Sequence, residues 1–491
     1  MVNRRGFKDF LFIIFMNTNL KDIWNFIFLK WDIIILILIL LFGFILRIYG
    51  LGATPLWVDE SISSLAAEKI TQKGVPLFDS GIFYDRAIIF HYLLSPFVSI
   101  FHNDFGVRLI SVLFGLGTIL LSFFIGNSYN KQTGVIAALF TAVLFLEVAY
   151  SRQARFYQMF QLLFFLTIFL LYKSKNSNKY AWLTGISFLV LVDTHIAGII
   201  LAPLIFYIFL TEKNGWKDWK IYILPLITLV YYIPNVLSVS TGGSGLASRY
   251  IQNYSSNLYS YLGAFSFISL LGLPFAFKIN KRLTLLLTIP SVVLIISVFF
   301  LKVFALRYVY FIVLLVPIFM GVLFSFIYSR SKFFFTILLI FAIIYPSNIF
   351  FPYTNFTAIK PEIILLDTVS EPVLDYKFLS VDTKTLIMNS NNVVLFTPYF
   401  NWYFKNPDYF IPFSLNGLES GYALYGQNDA YTGTPQFDFE NPQIKEFVLV
   451  EDAFGYTKLT NERRQKYNLL RDRCRLIEKT KLAKVYLCNL A

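Results

Sequence analysis

Charged side chains are scarce in this chain. They make up 14% of its 491 residues, against 57% hydrophobic ones. An ionisable group at the edge of a long apolar run is costly there and usually has a reason. The sharpest case is Leu56-Trp57-Val58-Asp59-Glu60, just beyond the first long apolar block. A second acid follows in Phe83-Tyr84-Asp85-Arg86, with a cation beside it. Carboxylates that converge can divide the work. One acts as general base on an acceptor, and the other holds a divalent metal ion or orients a phosphate. The plainer reading is a cap, with Asp59 opening a helix over Ser61–Lys73 and Glu60 in its first turn.

The cations of interest lie in two further places. Ser151-Arg152-Gln153-Ala154-Arg155-Phe156-Tyr157 carries two arginines at the end of an apolar block. They suit an anion, or they snorkel to the headgroups. Arg307-Tyr308 opens a later block, with Lys302 one to two turns before it. Arginine and lysine at that depth suit a phosphate or pyrophosphate whose lipid tail enters the bilayer. Between them, Asp193-Thr194-His195 places a histidine in a short turn, either as a hydrogen-bonded structural residue or as a base. Acids and cations beside lipid fit an anionic lipid substrate and a proton to be removed.

The elements that must hold these residues are membrane helices. A crossing takes about 20 residues, and eleven blocks approach that length. They run Ile33–Tyr49, Phe105–Asn127, Gly134–Tyr150, Tyr157–Tyr172, Tyr180–Val192, Ile196–Leu210, Ile221–Val239, Leu258–Phe277, Leu283–Phe304, Tyr308–Tyr328 and Phe333–Phe351. Five loops concentrate the basic residues: Lys131; Lys173, Lys175 and Lys179; Lys213, Lys217 and Lys220; Lys278, Lys281 and Arg282; Arg330 and Lys332. They alternate with poorly charged loops. The positive-inside rule places them, and Arg4, Arg5 and Lys8, in the cytoplasm. The net charge of +13 is thus a topology signal and not a nucleic-acid signal. The N-terminus is then cytoplasmic and the C-terminus outside.

The expected organisation is a cytoplasmic or interfacial segment 1–30, a membrane domain 31–351 with an outer loop 50–104, and an outer domain 352–491. In the outer loop, Ile88–Phe101 reads as a helix lying against the membrane surface. The tail has soluble composition and reads as a small α/β domain. Val393–Thr397 and Glu446–Val450 read as strands, Asn461–Arg471 as a helix with Thr460 as N-cap, and Cys474–Lys479 with Ala483–Cys488 as a hairpin. A turn at Thr480–Leu482 sets Cys474 opposite Cys488 and Glu478 opposite Lys484. On an oxidising side the two cysteines are able to form a disulfide.

An apolar first helix, an acid pair soon after it, and a long outer loop with amphipathic helices make a pattern. In it the chain resembles the GT-C superfamily of integral-membrane glycosyltransferases. It is most similar to the branch holding the protein O-mannosyltransferases and the lipid A aminoarabinose transferase. Ser151–Tyr157 resembles the Ser-x-x-Ala-Arg-x-Tyr stretch of these proteins. Thr194-His195 resembles a Thr-His after their fifth helix, and Arg307-Tyr308, leading to Pro317, resembles the start of a late helix near the lipid phosphate. Tyr84-Asp85-Arg86 stands where the aminoarabinose transferase has Glu-Lys.

The resemblance implies a GT-C fold and a donor sugar carried on a polyprenyl or dolichyl phosphate. The acceptor would be a lipid, protein or glycan met at the outer face, with no nucleic acid involved. It implies Asp59 as general base with Glu60 as its support, in an inverting transfer. Arg307, Tyr308, Lys302, Arg86 and Arg155 would serve the donor phosphate. Asp85, with a divalent metal ion, His195, Arg152 and Tyr157 are further candidates. Two other classes compete: a transporter or lipid flippase, and a non-catalytic membrane scaffold. Transport sites favour acids at mid-membrane, whereas here Glu147 is the main acid within a span.

Overall fold

The computed structural model describes residues 31–212, 215–240, 262, 265–298, 306–344, 376–396, 402–404, 408–411, 424–425, 428–429, 434–438, 442 and 444–490. The readings for segment 1–30, for Lys302 and for most of the outer segment Ser240–Asn257 lie outside them. The described part is mainly helical with a small C-terminal sheet.

The first described helix, α1 (Trp31–Ile48), is followed by α2 (Val58–Lys73) and α3 (Ile88–Phe101). Then come α4 (Asp104–Asn127), α5 (Lys131–Val143), α6 (Phe145–Tyr150), α7 (Tyr157–Ser174) and α8 (Asn178–Thr194). A 3₁₀ turn, Ile196–Leu201, leads into α9 (Ala202–Glu212). The helices α10 (Ile223–Ser240), α11 (Phe265–Val298), α12 (Leu306–Tyr310), α13 (Leu315–Arg330) and α14 (Lys332–Ile344) complete the set. Among the described residues four helical stretches, Trp31–Ile48, Asp104–Asn127, Tyr157–Ser174 and Phe265–Val298, are long and apolar enough to cross a membrane. On α1 the exposed residues Ile37, Leu38, Leu41 and Ile45 form the kind of apolar face that lipid covers. The α4–α5 hairpin touches backbone to backbone: a Cβ on Gly126 would stand 2.8 Å from the Cα of Gly134, so only glycine fits there.

Two spans differ from the sequence reading, each for a local physical reason. The block Gly134–Tyr150 is broken at Leu144, whose backbone is extended. Neither Gly nor Pro causes the break. Buried Arg47 of α1 takes the freed carbonyls, donating to Ala142 O at 2.9 Å and to Thr141 O at 3.2 Å. The block beginning at Tyr308 starts as the short α12 and continues after a turn as α13. Within α11, at the basic Lys278–Arg282 loop expected between two blocks, Asn280 leaves helical geometry (φ −146°), and its side chain accepts the Leu283 N–H at 3.2 Å. This caps the second half, so 265–279 and 281–298 are separate helices.

The C-terminal sheet contains β1 (Val393–Leu395), β2 (Tyr409–Phe410), β5 (Glu446–Asp452), β6 (Cys474–Lys479) and β7 (Ala483–Asn489), in the order β2-β1-β5-β7-β6. The separate pair β3 (Leu424–Tyr425) and β4 (Asn428–Asp429) is antiparallel. Helices α15 (Val381–Asn389), α16 (Ala453–Lys458) and α17 (Asn461–Arg471) accompany the sheet. Thr460 caps α17 through the Arg463 N–H. Cys474 pairs with Cys488 in register, and the two are joined by a disulfide. The expected pairing of Glu478 with Lys484 is displaced, because an irregularity between Leu476 and Glu478 shifts the register. Glu478 instead accepts from Ser380, and Lys484 pairs with the buried Glu451 at 2.7 Å.

Candidate active site

The helix α2 does not begin on an aspartate. Its N-cap is Trp57, whose backbone N–H is taken by Glu60 Oε2 at 3.2 Å. Glu60 is therefore the residue that reaches back to the helix start, and Asp59 is not the cap. The adjacent acids have opposite surroundings. Glu60 is buried and receives Arg108 in a fork, Nε on Oε1 at 2.8 Å and Nη2 on Oε2 at 2.7 Å. The Ala154 N–H adds a further bond at 2.7 Å. With four donors on its two oxygens, Glu60 ties α2 to α4 and to the 151–156 turn. Arg108 uses its remaining hydrogens on the carbonyls of Leu51, Thr54 and Pro55.

Asp59 keeps 28% of its side chain exposed. Its Oδ2 meets Arg155 Nη2 at 3.3 Å and accepts the Tyr157 hydroxyl at 3.4 Å. Arg155 is buried and held from several sides, donating to Asp59 O at 3.2 Å and Ser63 Oγ at 2.7 Å, with Tyr84 Oη at 3.5 Å. Its guanidinium also lies 4.7 Å from the Phe156 ring centre. Arg307, on α12, is surrounded by aromatic rings: Trp57 at 5.9 Å, Tyr157 at 5.7 Å and Tyr308 at 5.5 Å. Tyr157 and Trp57 thus join the Asp59 helix to the Arg307 helix.

The short α12 is anchored from beneath. The Tyr310 hydroxyl lies on Glu147 Oε2 at 3.2 Å and on Gln158 Oε1 at 2.5 Å, and its ring stacks on Tyr150 at 3.9 Å. Gln161 bridges Glu147 at 2.9 Å and the Tyr310 carbonyl at 3.1 Å. This network, made by α6, α7 and α12, fixes the carrier of Arg307. Only Glu147 had drawn notice in the sequence.

His195 stands in the turn after α8, its Nδ1 accepting the Ala197 N–H at 3.2 Å. The neutral ring therefore carries its proton on Nε2. Tyr308 and Phe311 pack around it at 6.2 and 5.4 Å. Burial first, then the guanidinium groups of Arg307, Arg86 and Arg155, push its pKa down to about 4. Guanidinium groups from three separate segments thus act on His195, and one of them, Arg155, also meets Asp59. His91 of α3 is pushed down to about 3, by burial and then by Arg155.

Other candidates are employed elsewhere. Arg152 donates to the Leu46 and Tyr49 carbonyls at 3.1 and 2.7 Å, closing the end of α1. Asp193 accepts the Ile89 N–H at 3.0 Å and the Tyr232 hydroxyl at 3.2 Å, so it serves the start of α3. Asp85 and Arg86 are exposed. Among the described residues no group of three or more His, Cys, Asp or Glu side chains could hold a metal ion. A lone exposed carboxylate such as Asp85 does not fit a catalytic divalent cation. Arg108 escaped the sequence reading, although an arginine inside an apolar helix implies a buried partner.

The sequence model of the dolichyl-phosphate-mannose-protein mannosyltransferase family matches residues 85–237. No curated protein matches the chain in sequence. Solved structures are similar over most of its length. ArnT from Cupriavidus metallidurans bound to undecaprenyl phosphate aligns with a TM-score of 0.59 and 12% identity, covering 93% of this chain and 98% of that one. The Archaeoglobus fulgidus oligosaccharyltransferase tethered with an acceptor peptide aligns at 0.53 and 13%, covering 87% and 69%. The chain resembles the GT-C superfamily, on the O-mannosyltransferase and ArnT side. The fold and the four long apolar helices make it a multi-pass integral membrane protein.

Proposed function

We propose that the chain is a GT-C glycosyltransferase that moves a sugar from a polyprenyl- or dolichyl-phosphate carrier to an acceptor at the outer face. The observation that carries this reading is the placement of Asp59. It is the accessible member of the acid pair, held by Arg155 and Tyr157, one aromatic layer from Arg307. The fold is shared with a protein solved with undecaprenyl phosphate bound. The eleven crossings and the outer position of the 352–491 segment belong to the same reading.

In the proposed step Asp59 takes the proton from the acceptor's hydroxyl or amine. The freed electron pair forms a bond to the anomeric carbon from the face opposite the phosphate. The bond from that carbon to the phosphate oxygen breaks, its electron pair leaves with the lipid phosphate, and configuration inverts. Arg307 with Tyr308, Arg86 and Arg155 face the oxygens on which negative charge grows. Neutral His195 donates from Nε2 without adding a fourth charge. Exposed Asp85 has no step.

The test uses the full chain in lipid vesicles, with undecaprenyl phosphate as binding probe and glycan mass spectrometry of the producing cells as activity readout. Asp59→Asn is expected to reduce transfer about 10²–10⁴-fold while thermal stabilisation by undecaprenyl phosphate persists. Arg307→Gln is expected to lose that stabilisation. Near-normal transfer by Asp59→Asn sinks the assignment.

A further inference from the structure

The chain's C-terminal part holds the Asp59 turn directly, and one buried carboxylate is the hub. Asp104, the first residue of α4, is buried. Among the described residues, the three side chains that donate to its carboxylate come from beyond residue 376. Lys377 Nζ meets Oδ2 at 2.8 Å, while the Trp402 indole N–H and the Tyr403 hydroxyl meet Oδ1 at 3.3 and 3.2 Å. Lys377 also donates to the Gly52 carbonyl. Trp402 lies on His102, ring centres 4.6 Å apart.

The Tyr403 oxygen faces two ways. As it donates to Asp104, it accepts the Leu56 N–H at 2.6 Å. Leu56 directly precedes the Trp57 cap, two residues before Asp59. One helical turn along α4 from Asp104, Arg108 grips Glu60 and the Leu51, Thr54 and Pro55 carbonyls. The 51–60 segment is thereby fixed at both ends from a single helix turn. Apolar packing follows the same division. Val58, Ile62 and Leu65 of α2 share a core with Tyr376, Leu379, Ile387, Val393, Leu395 and Val448. The catalytic helix is thus sandwiched between the membrane helices and the sheet.

We infer that the Lys377–Trp402–Tyr403 cluster, closed on Asp104, is a positioning clamp that sets the Leu56–Glu60 turn, so that docking of the C-terminal sheet is a condition for an aligned Asp59. Tyr403 and Asp104 are its positioning residues. Neither takes part in the proposed proton transfer. The link to catalysis rests on Asp59 being the base; the clamp itself does not. A tyrosine that bridges a backbone amide and a buried carboxylate cannot be replaced by packing alone, because losing the hydroxyl strands the Leu56 N–H and takes one donor from Asp104.

The experiment is hydrogen–deuterium exchange on the full chain in nanodiscs, comparing wild type with Tyr403→Phe and Asp104→Asn. Tyr403→Phe removes one oxygen and keeps the ring, which guards against simple unfolding. Both variants are expected to exchange at least about 10-fold faster across 51–60, the size set by losing roughly 1.4 kcal/mol of hydrogen bonding, while β5 and β7 stay protected. In the transfer assay kcat falls and KM for the lipid-linked sugar stays within about twofold, as expected when alignment and not binding is lost. Unchanged exchange across 51–60 in folded Tyr403→Phe overturns the clamp. Faster exchange with normal kcat overturns its role in alignment. Normal transfer by Asp59→Asn instead overturns the base, whatever the exchange shows.

Discussion

The two neighbouring acids predict opposite phenotypes, and Glu60 gives the sharper test. Its side chain is 1% exposed and that of Arg108 is 5% exposed, joined by two bonds of 2.7–2.8 Å. Glu60→Ala strands the guanidinium, at a cost of about 3–5 kcal/mol for one lost partner of a buried pair. It also orphans the Ala154 N–H, another 1–3 kcal/mol or so. Glu60→Gln keeps one acceptor oxygen, and Arg108 keeps its backbone carbonyls, so about 2 kcal/mol is expected. Asp59→Asn weakens two long contacts, to Arg155 and Tyr157, on a side chain that is 28% exposed, and keeps an oxygen able to accept. Solvent screening limits its cost to about 0–1 kcal/mol. The assay is thermal unfolding in detergent beside transfer in vesicles. Glu60→Ala should melt far below wild type, Glu60→Gln between, and Asp59→Asn close to wild type yet inactive. Removing both Glu60 and Arg108 charges (Glu60→Gln with Arg108→Gln) should cost less than the sum, with a coupling of about 2–3 kcal/mol. A Glu60→Gln protein that melts like wild type but has lost transfer as fully as Asp59→Asn refutes the reasoning, for Glu60 would then act chemically.

Two further outcomes follow from the same geometry. The Cys474–Cys488 link closes a separation of 14 residues, so Cys474→Ser is expected to weaken the C-terminal sheet by up to about 3 kcal/mol; protease cleavage within 445–490, with and without reductant, measures it. His195 has a folded pKa lowered to about 4, below the unfolded value of about 6.5. The unfolded chain therefore binds the proton first, and the stability that His195 contributes is complete above pH 6.5 and lost as pH falls toward 4. His195→Gln should flatten that part of the melting-temperature profile, and an unchanged slope between pH 6.5 and 4.5 would show that the ring is not held neutral.

What could be read from the sequence was whatever local pattern encodes. The boundaries of Ile88–Phe101 and the end of Asp104–Asn127 follow from apolar runs with polar ends. The register of the terminal hairpin at the cysteines follows from a short turn between alternating segments. The same local view drew attention to Asp59, Arg155, Tyr157, His195 and Arg307, because charged and aromatic groups at helix ends stand out in an apolar chain. What failed was set by distant partners. Nothing near Leu144 announces a break, since the group that stabilises it is Arg47, almost a hundred residues earlier. Asp193 looked like part of a histidine turn, yet its carboxylate serves the Ile89 amide. The displaced Glu478 illustrates the same limit, because its partner Ser380 belongs to another element.

The acid pair shows how helix geometry resolves an ambiguity that sequence leaves open. Successive residues on a helix point about 100° apart, so two adjacent carboxylates at the start of α2 cannot share one environment. One must face the body of the protein. At the third helical position it also falls within reach of the cap's free N–H, and that residue is Glu60. Its longer side chain then meets Arg108, whose other bonds fix the loop before the helix. The shorter Asp59, one step back, is turned to the open side where Arg155 and Tyr157 wait. Capping and catalysis were competing readings of the doublet. The fold gives the cap to Glu60, which leaves Asp59 open for the catalytic role proposed for it, and the residue that caps and anchors is what holds the other in place.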